Sequence, residues 1–277
     1  MIRRILVAMD GSPYGEAAAA LAIDWGTRFG AELVGLGILD KPSITRPEPV
    51  SFGGTAYKRH RDEARLGEAH RFLFVLLANF HQRCEAAGVR STVVEDVGAP
   101  HEQILAEAQR CDVVVLGRQS HFQFETQDEP DATLSKVLRE SPRPVVVVPR
   151  DTRAGDGVLV AYGGGREVAR TLQVFTLLGL AREESVRVVS VHENLTHAES
   201  YLEPAGRFLA AHGVTFTLHP IASKAPPASV ILEEIRRERP RMLVMGAHGH
   251  HPVRDLFFTS VTRAVLKEAP VPVFVGA

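Results

Sequence analysis

The strongest constraint on the fold of this chain is an internal duplication. Four sequence landmarks occur twice, in the same order along the chain. Repeats of this kind indicate that one structural unit has been copied, because chance rarely preserves both residues and order. The matching segments are residues 5–12 with 158–165, 86–89 with 211–214, 113–117 with 243–246, and 137–144 with 265–272.

The spacing of the two copies locates an insertion and a domain boundary. The offset between matching landmarks falls from 153 to 125, which places 28 additional residues in the first copy. A loop at 41–54, rich in proline, serine and glycine as loops are, lies where these additional residues fall. The copies join in a polar, glycine-containing stretch at 150–157. We therefore predict a first domain at 1–150, with an insertion near 41–60, and a second at 151–277.

Apolar strand-like runs alternate with helical patterns in each copy, and several runs are continuously apolar. Strands buried on both faces have this composition, and helices that cover both faces produce a parallel sheet. The sequence predicts α/β architecture: two tandem, five-stranded, parallel, doubly wound domains. Ligands of such sheets bind beyond the carboxyl ends of the strands. The predicted strands are 3–9, 32–39, 90–96, 112–117 and 144–149, then 157–162, 186–191, 214–220, 241–246 and 272–275; the first copy's helices are 13–29, 60–87, 100–110 and 132–141.

Composition excludes several classes of protein. The chain has 32 basic and 33 acidic residues, a net charge of -1, which argues against a broad nucleic-acid surface. No apolar run approaches the roughly 20 residues that span a bilayer, and the N-terminus lacks the pattern of a secretion signal. Cys84 and Cys111 match neither a metal-ligand spacing nor a disulfide framework. We expect a cytoplasmic protein that binds neither nucleic acid nor membranes.

One segment of the second copy could hold an anion. The fourth strand ends at Gly246, and Thr259 and Ser260 open a later helix. Glycine backbone and a helix N-terminus can together cradle a phosphate. The alternative is an ordinary strand-to-helix turn with a capped helix, and glycine spacing alone favours that alternative.

Several motifs carry a resemblance to a known family. The chain has Val-Ala-x-Asp-Gly-Ser at 7–12, Gly-x-x-Gly at 246–249, and Ser-Val-Thr at 260–262 before Pro-Val-Pro-Val at 270–273. Together with the strand order, these motifs resemble the universal stress protein family, over essentially the whole chain and in both copies. The resemblance implies a Rossmann-like, adenine nucleotide alpha hydrolase-like fold. Some members bind ATP through Gly-x-x-Gly, nine residues, then Gly-Ser or Gly-Thr.

The second copy keeps much of this phosphate pattern. Gly246, Gly249 and Ser260 match it, while Thr259 stands in place of the third glycine. An aspartate follows strand one in the family and faces the adenosine, but Gly163 occupies that position here. The resemblance implies that ATP, with Mg²⁺ as a possible companion, binds in the second domain. The implied contacts are Gly246, His248, Gly249, Thr259, Ser260, Val191 at the end of strand two, and Gly163.

The first copy keeps the motif after strand one but departs from the family's phosphate motif. Asp10 and Gly11 are present after strand one, and Ile38 ends strand two. Gly117 opens the phosphate segment, but an acidic stretch follows at 125–131. A carboxylate near a phosphate costs about 1 kcal/mol per close pair even in bulk water. We therefore expect this first site to be degenerate and not to bind ATP in the family's manner.

No motif points to catalysis or to a resident metal. His248, His250 and His251 are close in sequence, but neighbouring loop residues rarely aim at one ion, and no acidic or cysteine partner has a ligand spacing. The sequence lacks a nucleophile elbow, a phosphate loop of the Gly-Lys-Ser/Thr type and a zinc helix motif. We expect a non-catalytic protein, with slow ATP hydrolysis ranked last among the hypotheses.

Two features concern partners. Residues 72–80 are apolar around the whole helix, which predicts burial on more than one side, against the other copy, another chain or the 41–54 loop. A hydrophobic ligand is a further alternative for this stretch. The strands at 145–149 and 271–275 are predicted edge strands, and edges are commonly covered or paired. The two copies can pair through them as a pseudo-dimer, and a homodimer is a further possibility. The leading hypothesis is a stress-response module with nucleotide binding in its second domain; the alternative is a nucleotide-free scaffold.

Overall fold

The computed structural model describes residues 1–49, 54–122, 132–152, 155–182, 184–247 and 260–276. The predicted α/β class is confirmed, with mostly parallel strands and helices between them. The chain divides into two compact units. The first unit is Arg3–Val137, and the second unit comprises Met1–Ile2 and Leu138–Ala277.

The first unit contains a parallel sheet in the order β3-β2-β1-β4. Its central strands β1 and β4 are continuous apolar runs, and their residues are almost wholly buried. Residues such as valine favour strands buried on both faces, which is why these short runs form the centre of the sheet. The elements are β1 Arg4–Met9, α1 Pro13–Phe29, β2 Glu32–Leu39, α2 Lys41–Ile44, α3 Thr55–Ala86, β3 Ser91–Val97, α4 Pro100–Ala108, β4 Val113–Gly117 and α5 Thr133–Glu140, whose last residues pass into the second unit.

The second unit has its strands in the order β5-β10-β9-β6-β7-β8. Neighbouring strands are parallel except β5 and β10, which pair antiparallel with Phe274 opposite Val146. The elements are β5 Val145–Val148, β6 Val158–Ala161, α6 Arg166–Leu177, β7 Val186–His192, α7 Leu195–Ala211, β8 Phe216–Ala222, α8 Pro227–Glu238, β9 Met242–Gly246, α9 Ser260–Glu268 and β10 Val273–Gly276.

Strand β5 lies in the second unit, although the duplication assigns it to the first copy. The predicted pairing of the strands at 145–149 and 271–275 is confirmed, so neither is a free edge. Burial explains the pairing, because all residues of both β5 and β10 are buried. The boundary at residue 150 refers to the duplication and stays a prediction; the compact units divide earlier, at Val137 and Leu138.

The insertion and the helix after it differ in part from expectation. Within the loop predicted at 41–54, Lys41–Ile44 form a single helical turn, which Asp40 caps by accepting a hydrogen bond from the Ser43 backbone N–H at 3.1 Å. The next helix, α3, begins at Thr55 and is therefore longer than the predicted helix at 60–87. Residues 50–53 lie outside the described part of the chain.

Helix α3 packs on β2 through one face. A Cβ added to Gly35 would lie 2.6 Å from Cδ1 of Phe80, so the glycine lets this ring lie against the strand. Leu73 and Leu77 are buried beside it, whereas Phe74 and Val75 are 67% and 56% exposed. The prediction that this apolar stretch is buried on more than one side is therefore wrong for the chain by itself.

Candidate functional site

A cavity of about 580 Å³ lies in the second unit, where β6, β7 and β9 end. It forms at this edge because the three strands are parallel neighbours, so their carboxyl ends lie side by side. Its volume lies within the roughly 300–1,000 Å³ of typical small-molecule pockets. Side chains of α8 complete the lining, among them Ile231.

Four of the residues predicted for the second-domain site line this cavity. Gly163 follows β6, Val191 lies near the end of β7, Gly246 ends β9, and Ser260 begins α9. The structure thus brings together positions that are as much as 97 residues apart in the sequence. The other predicted contacts, His248, Gly249 and Thr259, lie outside the described residues, as do His250 and His251.

The turn after β6 consists of Gly163, Gly164 and Gly165. Gly164 has a φ of +80°, and a Cβ there would lie only 2.6 Å from Cδ1 of Tyr201. A larger residue would therefore meet both backbone strain and the ring. Gly165 is the N-cap of α6 and supplies no side-chain capping bond. Gly163 leaves open space where a Cβ would extend, so the turn adds volume to the cavity.

Aromatic rings form the wall on the side of α7. The ring centroid of His192 lies 4.9 Å from that of His197 and 5.9 Å from that of Tyr201, both in edge-to-face arrangements. The Asn194 backbone N–H donates to Nδ1 of His192 at 2.9 Å, which holds the ring at the end of β7. His192 and Tyr201 line the cavity and can stack on, or donate to, a planar ligand.

The opposite wall is formed by the start of α9. The Thr262 hydroxyl donates to the carbonyl oxygens of Gly246 at 3.4 Å and Ala247 at 3.3 Å, which ties the first turn of α9 to the end of β9. Ser260 therefore has a fixed position at the mouth of the cavity, with its hydroxyl exposed. Among the described lining residues there is no Asp, Glu, Lys or Arg, so none of them repels an anionic ligand by charge.

Gly246 also has a packing role that the glycine pattern did not reveal. A Cβ on Gly246 would lie 3.0 Å from the backbone nitrogen of Val168, in the first turn of α6. In the first unit, a Cβ on Gly117 would lie 2.7 Å from Cβ of Tyr14 in α1. The glycine that ends this strand thus permits close helix packing in both copies, whether or not an anion binds.

The corresponding turn of the first unit is filled by its own side chains. One carboxylate oxygen of Asp10, Oδ1, accepts hydrogen bonds from the Ser12 backbone N–H at 3.0 Å and from the Ser12 hydroxyl at 2.8 Å. The other, Oδ2, accepts from the His121 backbone N–H at 2.7 Å. Burial raises the pKa of Asp10 above its usual value, against the lowering effect of these hydrogen bonds. Asp10, the residue predicted to face adenosine, therefore uses its carboxylate in hydrogen bonds within the protein.

Two close contacts restrict the first turn further. Gly11 has a φ of +72°, and a Cβ there would lie 2.3 Å from Cζ of Phe72, so this ring lies directly over the turn. A Cβ on Gly15 would lie 2.2 Å from Oδ1 of Asp10, so the carboxylate occupies that space. Ile38, predicted at the end of β2, is fully buried. The acidic stretch at 125–131 lies outside the described residues.

Comparison with known proteins identifies the family. The model of the universal stress protein family matches residues 1–149 and 195–275. The chain belongs to the universal stress protein family. A relative, universal stress protein Slr1230 of Synechocystis, is 24% identical over 294 residues that cover 98% of this chain and 99% of the relative.

Solved structures share the fold of this chain. A universal stress protein from Archaeoglobus fulgidus superimposes with a TM-score of 0.73 at 19% identity, covering 99% of this chain and 97% of that protein. A functionally unknown protein from Pseudomonas aeruginosa has a TM-score of 0.59 at 17% identity, with coverage of 99% and 92%. These similarities establish the fold of this universal stress protein, over nearly its whole length.

Sequence reasoning missed three features of this universal stress protein's candidate site. Tyr201 and His192 line the cavity, and no sequence pattern assigned them to it. Arg166, which follows the three glycines, lines a separate groove between α6 and α7. The run of three glycines that includes Gly164 could have indicated the turn after β6, because such a run after a strand is typical of an unusual backbone conformation.

The two cysteines and the potential metal ligands of the described residues give no further candidate site. Cys84 and Cys111 are free and buried, and burial raises the pKa of Cys111 to about 11. Both thiols are therefore poor nucleophiles near neutral pH. The described residues contain no group of three or more His, Cys, Asp or Glu side chains arranged for a metal ion. Of the helices in these same ranges, none is both long and apolar enough to cross a membrane.

Proposed function

We propose that the second unit binds an adenine nucleotide, with ATP as the first ligand to test, and that this universal stress protein is a non-catalytic nucleotide-responsive module. The observation that carries the proposal is the cavity at the ends of β6, β7 and β9. It gathers Gly163, Val191, Gly246 and Ser260, four of the nucleotide contacts that the family resemblance implies.

The lining suits the two ends of such a ligand. Val191 and Ile231 give an apolar wall for the adenine, with Tyr201 beside it as a stacking partner. Ser260, at the first position of α9, offers a hydroxyl and the positive end of a helix dipole to phosphate oxygens. Gly163 leaves the ribose without the carboxylate that the family supplies, so we expect weaker binding than that motif would give. Mg²⁺ enters only as the usual companion of the phosphates.

Calorimetry of the full chain with ATP tests the proposal. We expect saturable binding that Ser260→Ala weakens on the order of tenfold, because a hydrogen bond to a charged group contributes about 1.5–3 kcal/mol. Ser135→Ala is the matched control, since it removes an exposed serine hydroxyl from the first turn of α5, the corresponding helix of the first copy. Absence of heat at millimolar ATP, or equal weakening by Ser135→Ala, would contradict the proposal.

A second candidate is a nucleotide-free scaffold that recruits a protein partner. Phe74 and Val75 of α3 favour it, because both are large apolar residues with more than half of their surface exposed. The same calorimetry tests this candidate, since it requires that ATP does not bind. Cytoplasmic location, a pseudo-dimer of the two copies and a homodimer stay predictions.

A further inference from the structure

A second cavity of about 390 Å³ lies in the second unit, between α6 and α7. Its apolar lining includes Tyr162 at the end of β6, Leu172 of α6 and Phe208 of α7. Tyr162 and Leu172 are almost fully buried, whereas Phe208 is half-buried. The cavity is distinct from the candidate nucleotide cavity, although Tyr162 contributes to the lining of both.

Two arginines border this α6–α7 groove. Arg166 and Arg170 line it, and both are exposed. Residues four apart lie on the same face of a helix, where like charges destabilise it by about 0.2–0.5 kcal/mol. Within the described ranges, neither guanidinium has a carboxylate at salt-bridge distance, and Glu203 of the facing helix is already paired with Arg207 at 2.5 Å. Positive charge without a partner thus borders an apolar groove.

The first copy closes the corresponding place with an ion pair. There, Nη1 of Arg83 in α3 lies 2.5 Å from Oε2 of Glu16 in α1. The offsets of 153 and 125 between the copies place Ala169 at the position of Glu16 and Phe208 at the position of Arg83. Both replacements line the α6–α7 groove. The second copy has therefore exchanged an internal salt bridge for an apolar floor and has gained two arginines at the rim.

We propose that the α6–α7 groove binds a small amphipathic carboxylate, a molecule with an apolar body of medium-chain length and one anionic head. The body would cover Tyr162, Leu172 and Phe208, and the carboxylate would pair with Arg166 and Arg170. Arginine guanidinium groups suit this head because they donate paired hydrogen bonds to carboxylates. The groove volume lies in the range of small-molecule sites, which favours such a ligand over a protein segment. The inference does not depend on nucleotide binding.

Calorimetry of the full chain with octanoate, in the absence of nucleotide, tests this proposal. We expect octanoate to bind, and 1-octanol and butyrate to bind at least about tenfold more weakly, because each lacks one half of the recognition. The double variant Arg166→Gln/Arg170→Gln should weaken octanoate binding on the order of tenfold and leave 1-octanol unchanged. Arg236→Gln, the same change at an exposed arginine of α8 outside the groove lining, should have no effect.

A second double variant tests the comparison between the copies. Ala169→Glu/Phe208→Arg installs the residues of the first copy's ion pair, and we expect it to abolish octanoate binding while thermal unfolding by circular dichroism stays cooperative. The proposal is overturned if the unmodified protein does not bind octanoate, if 1-octanol binds equally well, or if the arginine double variant binds as the unmodified protein does.

Discussion

The turns after β1 and β6 occupy equivalent positions in the two copies, but side chains of the protein fill the first turn and a cavity lies beside the second. In the first unit, the carboxylate of Asp10 receives three hydrogen bonds from Ser12 and His121, and the ring of Phe72 lies over Gly11. In the second unit, three glycines occupy the same positions and a cavity opens beside them. Hydrogen bonds within the protein thus occupy, in one copy, the place that is open in the other.

The difference extends beyond the turn to its neighbouring helix. Gly15 of α1 has no side chain, and the space is taken by Oδ1 of Asp10. The offset of 153 places Val168 at the position of Gly15 and Gly163 at that of Asp10. A valine is accommodated in the second unit because no carboxylate competes with it. The two positions therefore change together, for a steric reason.

A double-mutant cycle on this pair should give the largest effect. Gly15→Ala places a methyl group on the carboxylate of Asp10, and we expect it to destabilise the protein by about 2–3 kcal/mol, the cost of overpacking. In the background of Asp10→Gly the same change should be neutral, or stabilising by up to about 1 kcal/mol, because alanine favours helix over glycine. Urea unfolding of the four proteins gives the coupling energy.

Gly67→Ala in α3 is the matched control, because an added Cβ there meets no atom closer than 3.7 Å. It should be neutral or slightly stabilising with or without Asp10. Equal destabilisation by Gly15→Ala in both backgrounds would disprove the steric coupling between the two positions.

Much of the fold and part of this site could be predicted from the sequence. Continuous valine runs such as residues 113–115 indicate strands, because a strand that is buried on both faces of a sheet has no position that favours a polar side chain. The predicted strand ends and the family resemblance placed Gly163, Gly246 and Ser260 at one edge of the sheet. These predictions combine local sequence patterns with the rule that the carboxyl ends of parallel strands lie at the same edge of a sheet.

The remaining features depend on contacts between distant residues. Tyr201 lines the cavity because Gly164 lets α7 approach, which requires knowing how the helix packs. The engagement of Asp10 depends on the His121 backbone, which is 111 residues away. Strand β5 belongs to the second unit through its pairing with β10, whereas the repeat offsets alone assign it to the first copy.

A smaller effect should separate the glycines that end β4 and β9. A Cβ on Gly117 would lie 2.7 Å from Cβ and 2.9 Å from the carbonyl carbon of Tyr14, so α1 must shift. A Cβ on Gly246 would lie 3.0 Å from the nitrogen of Val168, where a displacement of a few tenths of an ångström suffices. We expect Gly117→Ala to cost about 2 kcal/mol and Gly246→Ala about 1 kcal/mol. Urea denaturation measures both, and the reverse order would show that α6 is held more tightly than α1.

The smallest effect concerns the buried carboxyl of the first turn and its pH dependence. Because burial raises the pKa of Asp10 above the ordinary 3.8, the folded state holds this proton more tightly than the unfolded state. Its contribution to stability is therefore fully present below the ordinary pKa and is lost as the pH rises through the raised one. Asparagine cannot ionise, so the stability of Asp10→Asn relative to the unmodified protein should improve as the pH increases.

Urea unfolding from about pH 4 to about pH 7 measures that change, with Asp24→Asn as the control for an exposed carboxyl on α1. The offset between Asp10→Asn and the unmodified protein at any single pH also contains lost hydrogen bonds, because an amide presents Nδ2 where one carboxylate oxygen accepted. The slope with pH isolates the ionisation. A stability difference that stays constant with pH, or that moves against Asp10→Asn as the pH rises, would mean that the hydrogen bonds from Ser12 and His121 outweigh burial and that the first turn holds its carboxylate in the charged form.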